Sequence, residues 1–230
     1  MSTPRTARER ARVEITRAIQ QTGRRHLAEV GPAALSLRAI ARDVGMVSSA
    51  VYRYFPSRDD LLTALIIEAY DELGDAVEAA DARVRRRDDL AKRFLAVCRA
   101  IRDWARANPH EYALLYGSPV PGYAAPDTTV PSAARVTEAF LALAQESHLA
   151  DQEIGAGPVG AREHRALEGV RRALDVPVDD ARLVRWLMAW ATVFGHISLE
   201  LYGHMHRGVL DYDAHFSQVT AELVADLGLD

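Results

Sequence analysis

The sequence predicts an all-α protein, and three observations carry that prediction. Apolar residues recur every three or four positions along most of the chain, glycines and prolines cut the pattern into helix-sized pieces, and no segment keeps the apolar–polar alternation of a strand. The pieces sort into an N-terminal head of three helices, residues 1–56, and a larger helical bundle, residues 57–230.

After a charged start, Ile15, Ile19, Thr22, Gly23, His26, Leu27 and Val30 fall on one helical face, and Gly31-Pro32 stops the helix. Ser36 is a good N-cap for a second, short helix carrying Leu37, Ile40, Ala41 and Val44, which Gly45 breaks. A third runs from about Ser48 to Phe55 and ends at Pro56. Ser57 then caps a fourth, with Asp59 and Asp60 in its first turn, where the helix dipole favours carboxylates. Its buried face is Leu61, Leu62, Leu65, Ile66, Ala69, Leu73 and Val77, long enough to link the head to the body.

Beyond a charged break at residues 83–89, Leu90, Phe94, Val97, Cys98, Ile101, Trp104 and Ala105 make another one-sided stripe, closed by Asn108-Pro109. A short segment, His110 to Tyr116, leads into residues 118–126, which must be irregular because three prolines exclude helix and ladder alike. Pro131 suits a helix start, and Val136, Phe140, Leu141 and Leu143 continue that helix. Gly155 to Gly160 reads as a loop and Ala161 to Leu174 as a more polar helix. From Asp179 the chain is apolar on two faces, Leu183, Trp186, Leu187, Trp190, Phe194, Ile197 and Leu201 on one and Val184, Met188, Gly195, Leu199 and Tyr202 on the other, so burial on both sides is expected. The last helix offers the single stripe Phe216, Val219, Leu223, Val224 and Leu227.

Charge is distributed unevenly. Residues 1–60 carry eleven arginines against six carboxylates, a net charge of +5, and since the whole chain stands at −4 the remainder holds −9. A basic head on an acidic body suits a unit that neutralises phosphates joined to one that does not. The single cysteine, Cys98, excludes an internal disulfide and a cysteine-based zinc framework, and fits a reducing cytoplasm. The Arg-rich N-terminus has no apolar core of a secretory signal, and the most apolar stretch, Leu183 to Tyr202, is interrupted by Arg185, His196 and Glu200, so no membrane span is expected.

Residues 36–55 read as helix, tight glycine turn, helix. Small Ala41 permits close approach, Gly45 supplies the turn, and Val47 and Val51 fix the second helix against its neighbours. What is left facing outward is Ser48, Ser49, Ala50, Tyr52, Arg53 and Tyr54, short hydroxyls, a methyl, phenols and a guanidinium, the groups that read base edges and phosphates in duplex DNA.

Residues 10–70, above all LSLRAIARDVGMVSSAVYRYFPSRDDLLTAL, resemble the DNA-binding region of the TetR family of transcriptional regulators. Further along, YALLYGSPVPGYAAPDTT and WATVFGHISLELYGH resemble the ligand-sensing C-terminal domain called WHG in some of these regulators. The resemblance implies phosphate contacts from Ser36, Tyr52 and Arg58, and places Arg38, Ser48, Ser49, Ala50, Arg53 and Tyr54 near base edges. Ser36 serves equally as a simple N-cap, Tyr54 as core packing, and Arg53 as a solvated charge. The resemblance also implies a homodimer on double-stranded operator DNA, a small-molecule effector, and repression as the default. No cofactor is expected.

The doubly apolar helix from Asp179 to Tyr202, beside the last helix, is the best candidate for a self-complementary dimer face. Phe94, Cys98, Trp104, Tyr112, Tyr116, Tyr123, Phe140, Trp186 and Trp190 supply the mostly apolar lining of an expected effector pocket, with plain core packing as the competing role for each. An alternative function, a helical metal-binding enzyme, rests on His196, Glu200 and His204, whose four-residue spacing suits metal ligands on one helix face. There is no HExxH, phosphate loop or nucleophile elbow to support it.

Overall fold

The computed structural model describes residues 6–149, 157–172 and 178–229. All regular structure among them is helical: α1 (Ala7–Val30), α2 (Leu37–Asp43), α3 (Ser48–Val51), α4 (Arg58–Arg83), α5 (Leu90–Ala107), α6 (Pro109–Tyr116), α7 (Val130–Leu149), α8 (Ala161–Ala166), α9 (Glu168–Arg172), α10 (Asp180–Leu201) and α11 (Tyr212–Asp226). They form two compact units, one of residues 1–71 and 108–132, the other of residues 72–107 and 133–230.

Caps explain most of the boundaries. Thr6 opens α1 with a capping box in which its hydroxyl accepts from the Glu9 amide and the Glu9 carboxylate accepts from the Thr6 amide. The Ser57 hydroxyl accepts from the Asp60 amide at 3.0 Å before α4, and the Asp179 carboxylate from the Arg182 amide at 2.8 Å before α10. Helix α1 ends at Gly31, whose φ of 75° only a residue without a Cβ adopts freely. A closer constraint holds at Gly117, after α6, where a Cβ would lie 2.3 Å from the Ala113 carbonyl oxygen.

The first unit is built on one core. Ile19, Leu37, Ile40, Ala41, Val51, Phe55, Leu61 and Leu65 are buried together, joined by Val120 from the irregular segment after α6. Two polar contacts tie α6 and the segment after it to the early helices: Arg24 Nε donates to Glu111 Oε1 of α6 at 2.9 Å, and Thr63 Oγ1 lies 2.9 Å from the Tyr123 hydroxyl. Val30, expected on the buried face of α1, is exposed instead, because the chain turns away at Gly31 one residue later.

In the second unit, Phe94, Phe140 and Trp186 from α5, α7 and α10 pack edge to face, with ring centroids 5.7 to 6.4 Å apart. Two buried arginines organise the polar part. Arg93 donates to Asp81 Oδ1 at 2.7 Å and to Glu146 Oε1 at 2.9 Å. Arg102 grips Glu200 at both oxygens, 2.7 and 2.9 Å, and Asp213 at 2.6 Å. A small satellite core of Leu167, Val178 and Leu183 lies beside α8 and α9. The expected polar helix from Ala161 divides at Leu167 into those two short pieces; its last positions, 173 and 174, and the start of the Gly155 loop lie outside the described residues.

Candidate nucleic-acid interface

The helix–turn–helix rests on a glycine turn. After α2, the Gly45 amide donates to the Arg42 carbonyl and the Met46 amide to the Ala41 carbonyl, at 3.1 and 2.8 Å, while Gly45 itself takes φ of +74°. Helix α3 is shorter than the expected Ser48 to Phe55: its α-helical part is Ser48–Val51, and residues 52–54 are turn. Val51 is fully buried and Phe55 nearly so, which anchors both ends of this segment to the core. Val47, expected to pack between the helices, stands 71% exposed because it occupies the N-cap position outside the first turn.

Anchoring at 51 and 55 leaves Ser49, Tyr52 and Arg53 exposed, with Ser48 and Ala50 half-buried at the shoulder. Arg38 projects as an exposed residue from the first turn of α2. Ser36 is half-buried and caps α2, its hydroxyl accepting from the Ala39 amide at 3.4 Å. Two candidates are committed to the protein itself. Tyr54 packs on the head core, with the Arg12 guanidinium over its ring, and Arg58 donates to the Ala33 carbonyl and to Asp59, both at 3.2 Å.

A hydrogen bond from α1 braces the end of α2. His26 of α1 and Asp43 at the end of α2 lie 2.6 Å apart, and that hydrogen bond, with Arg42 and Arg25 nearby, holds the Asp43 carboxyl below the usual carboxylate range. Periodicity marked His26 only as a buried position and gave no sign of this partner.

The effector-pocket candidates are distributed over both units. Phe140, Trp186 and Trp190 line a cavity of about 190 Å³ in the second unit, together with Thr137, Leu141 and Leu187, which the sequence reading did not single out. Phe94 stacks behind the first two, and Cys98 and Trp104 are buried elsewhere on α5. Tyr112, Tyr116 and Tyr123 belong to the first unit, where Tyr112 and Tyr116 pack with centroids 5.1 Å apart and Tyr123 meets Thr63. Burial pushes the Cys98 thiol far up, so it is inert.

The metal alternative loses its geometry. Glu200 is occupied by Arg102, His196 is buried against His215 and Phe216, and exposed His204 lies beyond the end of α10. Among the described residues no three metal-binding side chains converge.

Comparison with known proteins agrees with this geometry. The family model described as "Bacterial regulatory proteins, tetR family" matches residues 19–65, and "Tetracyclin repressor-like, C-terminal domain" matches residues 94–223. The chain is 44% identical over 224 residues to the HTH-type transcriptional regulator Rv1816 of Mycobacterium tuberculosis (strain ATCC 25618 / H37Rv), covering 96% of this chain and 95% of that protein. A solved protein named SCO4313, described as regulatory, aligns at TM-score 0.79 and 32% identity over 96% of this chain and all of the other. A transcriptional regulator of the TetR/AcrR family from Thermobifida fusca YX-ER1 shares the fold, with TM-score 0.59 and 21% identity over 92% of this chain and 97% of its own. The match at residues 19–65 spans the glycine turn and α3.

Proposed function

This chain belongs to the tetR family of bacterial regulatory proteins, and from that premise we propose that it is a ligand-responsive repressor that releases a palindromic operator when a small molecule occupies its C-terminal bundle. It is a transcriptional regulator and not an enzyme. Residues 1–56 read the DNA, and residues 57–230 sense the effector and dimerise. No helix among the described residues is long and apolar enough to cross a membrane, and the protein acts on DNA in the cytoplasm.

One observation carries the DNA reading: Val51 and Phe55 are buried while Ser49, Tyr52 and Arg53 between and beside them are exposed. Anchored so, the segment presents short hydroxyls, a phenol and a guanidinium together, a surface suited to a major groove. Arg38 adds a guanidinium from α2, Ser36 and Tyr52 donate to phosphates, and Ser48, Ala50, Tyr54 and Arg58 border the contact.

The dimer is supported by α10. Leu183, Trp186, Phe194 and Ile197 are buried within the chain, whereas Met188, Leu199 and Tyr202 on the opposite face are 43 to 54% exposed, beside open Gly195. A second copy laid two-fold across this face would remove it from water, and two heads would then meet two half-sites about one helical turn apart or a multiple of it.

Selection of bound fragments from random duplexes, followed by affinity against salt, tests the proposal. It expects an inverted-repeat site whose affinity falls steeply and linearly on a log–log plot of salt. Recovery of no preferred sequence, with no salt-dependent duplex binding, would overturn it.

A further inference from the structure

We infer that Arg8, on the part of α1 that overhangs the head, holds a phosphate of the same duplex that the α3 segment reads, so that the DNA-contacting surface runs on along α1 beyond the helix–turn–helix. The inference rests on the DNA reading above and adds to it a contact that is blind to sequence.

Arg8, Arg12, Ile15, Ile19, Gly23 and His26 follow one another at intervals of three or four residues and so share one face of α1. Ile19, Gly23 and His26 are buried and Ile15 packs half-buried on the head core, whereas residues 7–14 are all exposed. The face that closes the core therefore continues past it for about 12 Å of helix. Where it leaves the core, its side chains change from aliphatic to guanidinium.

Arg12 fixes the direction of that overhang. Its guanidinium lies over the Tyr54 ring, 5.6 Å from the centroid, and Tyr54 follows directly on the exposed Tyr52 and Arg53. Arg8, one turn nearer the N-terminus on the same face, is thus carried out beside the surface proposed for the groove, within the same compact unit. Glu9, between the two arginines in sequence, is turned back onto the Thr6 amide at 2.8 Å. Duplex DNA carries a phosphate charge about every 1.7 Å along its axis. A groove filled by the α3 segment therefore brings phosphates up to the guanidinium standing next to it, a contact that positions the protein without reading a base.

Salt titration of duplex affinity tests this, with the full-length protein as wild type, Arg8→Gln and Arg17→Gln, on a duplex recovered by the selection above and on a random one. Arg17, half a helical revolution from Arg8, is exposed on the opposite face of α1 and loses the same charge. Arg8→Gln is expected to bind both duplexes more weakly than wild type, to keep the base preference, and to lower the log–log salt slope by about one for each copy of the chain on the duplex. Its melting temperature should not move, because the side chain is exposed. Arg17→Gln should keep the wild-type slope. A wild-type slope in Arg8→Gln, an equal loss of slope in Arg17→Gln, or an altered base preference in Arg8→Gln would overturn the inference. Salt-dependent duplex binding by the wild type, with the slope unaltered in Arg8→Gln, defeats this inference alone; absence of such binding in the wild type defeats the DNA reading with it.

Discussion

The Arg12 guanidinium lies over the Tyr54 ring, 5.6 Å from its centroid, and so fastens the start of α1 to the end of the segment that follows α3. Tyr52, two residues earlier, is exposed. The two phenols therefore have different work. Tyr54→Ala is expected to lower the melting temperature of the protein, by loss of ring packing and the cation–π contact, whereas Tyr52→Phe should leave melting unchanged and weaken duplex binding. Thermal denaturation and operator titration on both variants check the division; equal melting of Tyr54→Ala and wild type would place Tyr54 with Tyr52 on the DNA side.

Arg38 gives a sharper expectation. It is exposed at the first turn of α2, where a guanidinium can pair with a guanine edge, a contact that discriminates by about 1–3 kcal/mol. Arg38→Ala should reduce affinity and relax preference at one position per half-site. Selection with the variant reads this directly: uniform weakening across all sequences, with preference intact, would make Arg38 a phosphate contact.

The helix–turn–helix was legible because its determinants are local. Ser36 caps, Gly45 takes a positive φ, and Val51 and Phe55 pack, all within twenty residues. The length of α3 was less so, since only the alignment of residues 52–54 on the core decides where helix gives way to turn. How the pocket candidates divide between the two units was not legible. Helical spacing shows that Tyr112 and Trp186 each lie on an apolar face, but not that one packs in the first unit and the other in the second. The His196, Glu200, His204 spacing that carried the metal alternative is answered by a distant residue: Arg102, nearly a hundred residues earlier, claims Glu200, and no local pattern announces that partner.

That pairing carries a stability prediction. Arg102 and Glu200 are both buried, with side chains 2% and 8% exposed, so Arg102→Met would leave a buried carboxylate with only the more distant Arg106 guanidinium, 3.9 Å away. The expected loss is about 3 kcal/mol, readable as a lower denaturant midpoint. A variant as stable as wild type would mean that Glu200 finds solvent or takes a proton at little cost.

His196 makes the second unit sensitive to acid. It is buried, both ring nitrogens lack a hydrogen-bond partner among the described residues, and burial first, then His215 on α11 and Arg102 on α5, push its pKa below the ordinary 6.5 of a histidine, with Glu200 on its own helix opposing. The unfolded chain therefore takes up a proton that the folded chain resists, so stability falls as pH drops through about 6.5 toward the lowered folded value. His196→Phe should flatten stability against pH in that window. An unchanged slope would assign the acid sensitivity to other groups.

The most direct test of the account asks whether the α3 surface enters the groove. Cys98 is fully buried and its thiol inert, so a single Ser49→Cys variant can be labelled with a bulky maleimide at the exposed centre of that surface, with Arg165→Cys on exposed α8 as control. The label at position 49 should abolish operator binding while the label at 165 leaves it intact. Wild-type affinity with position 49 fully labelled would contradict the central claim.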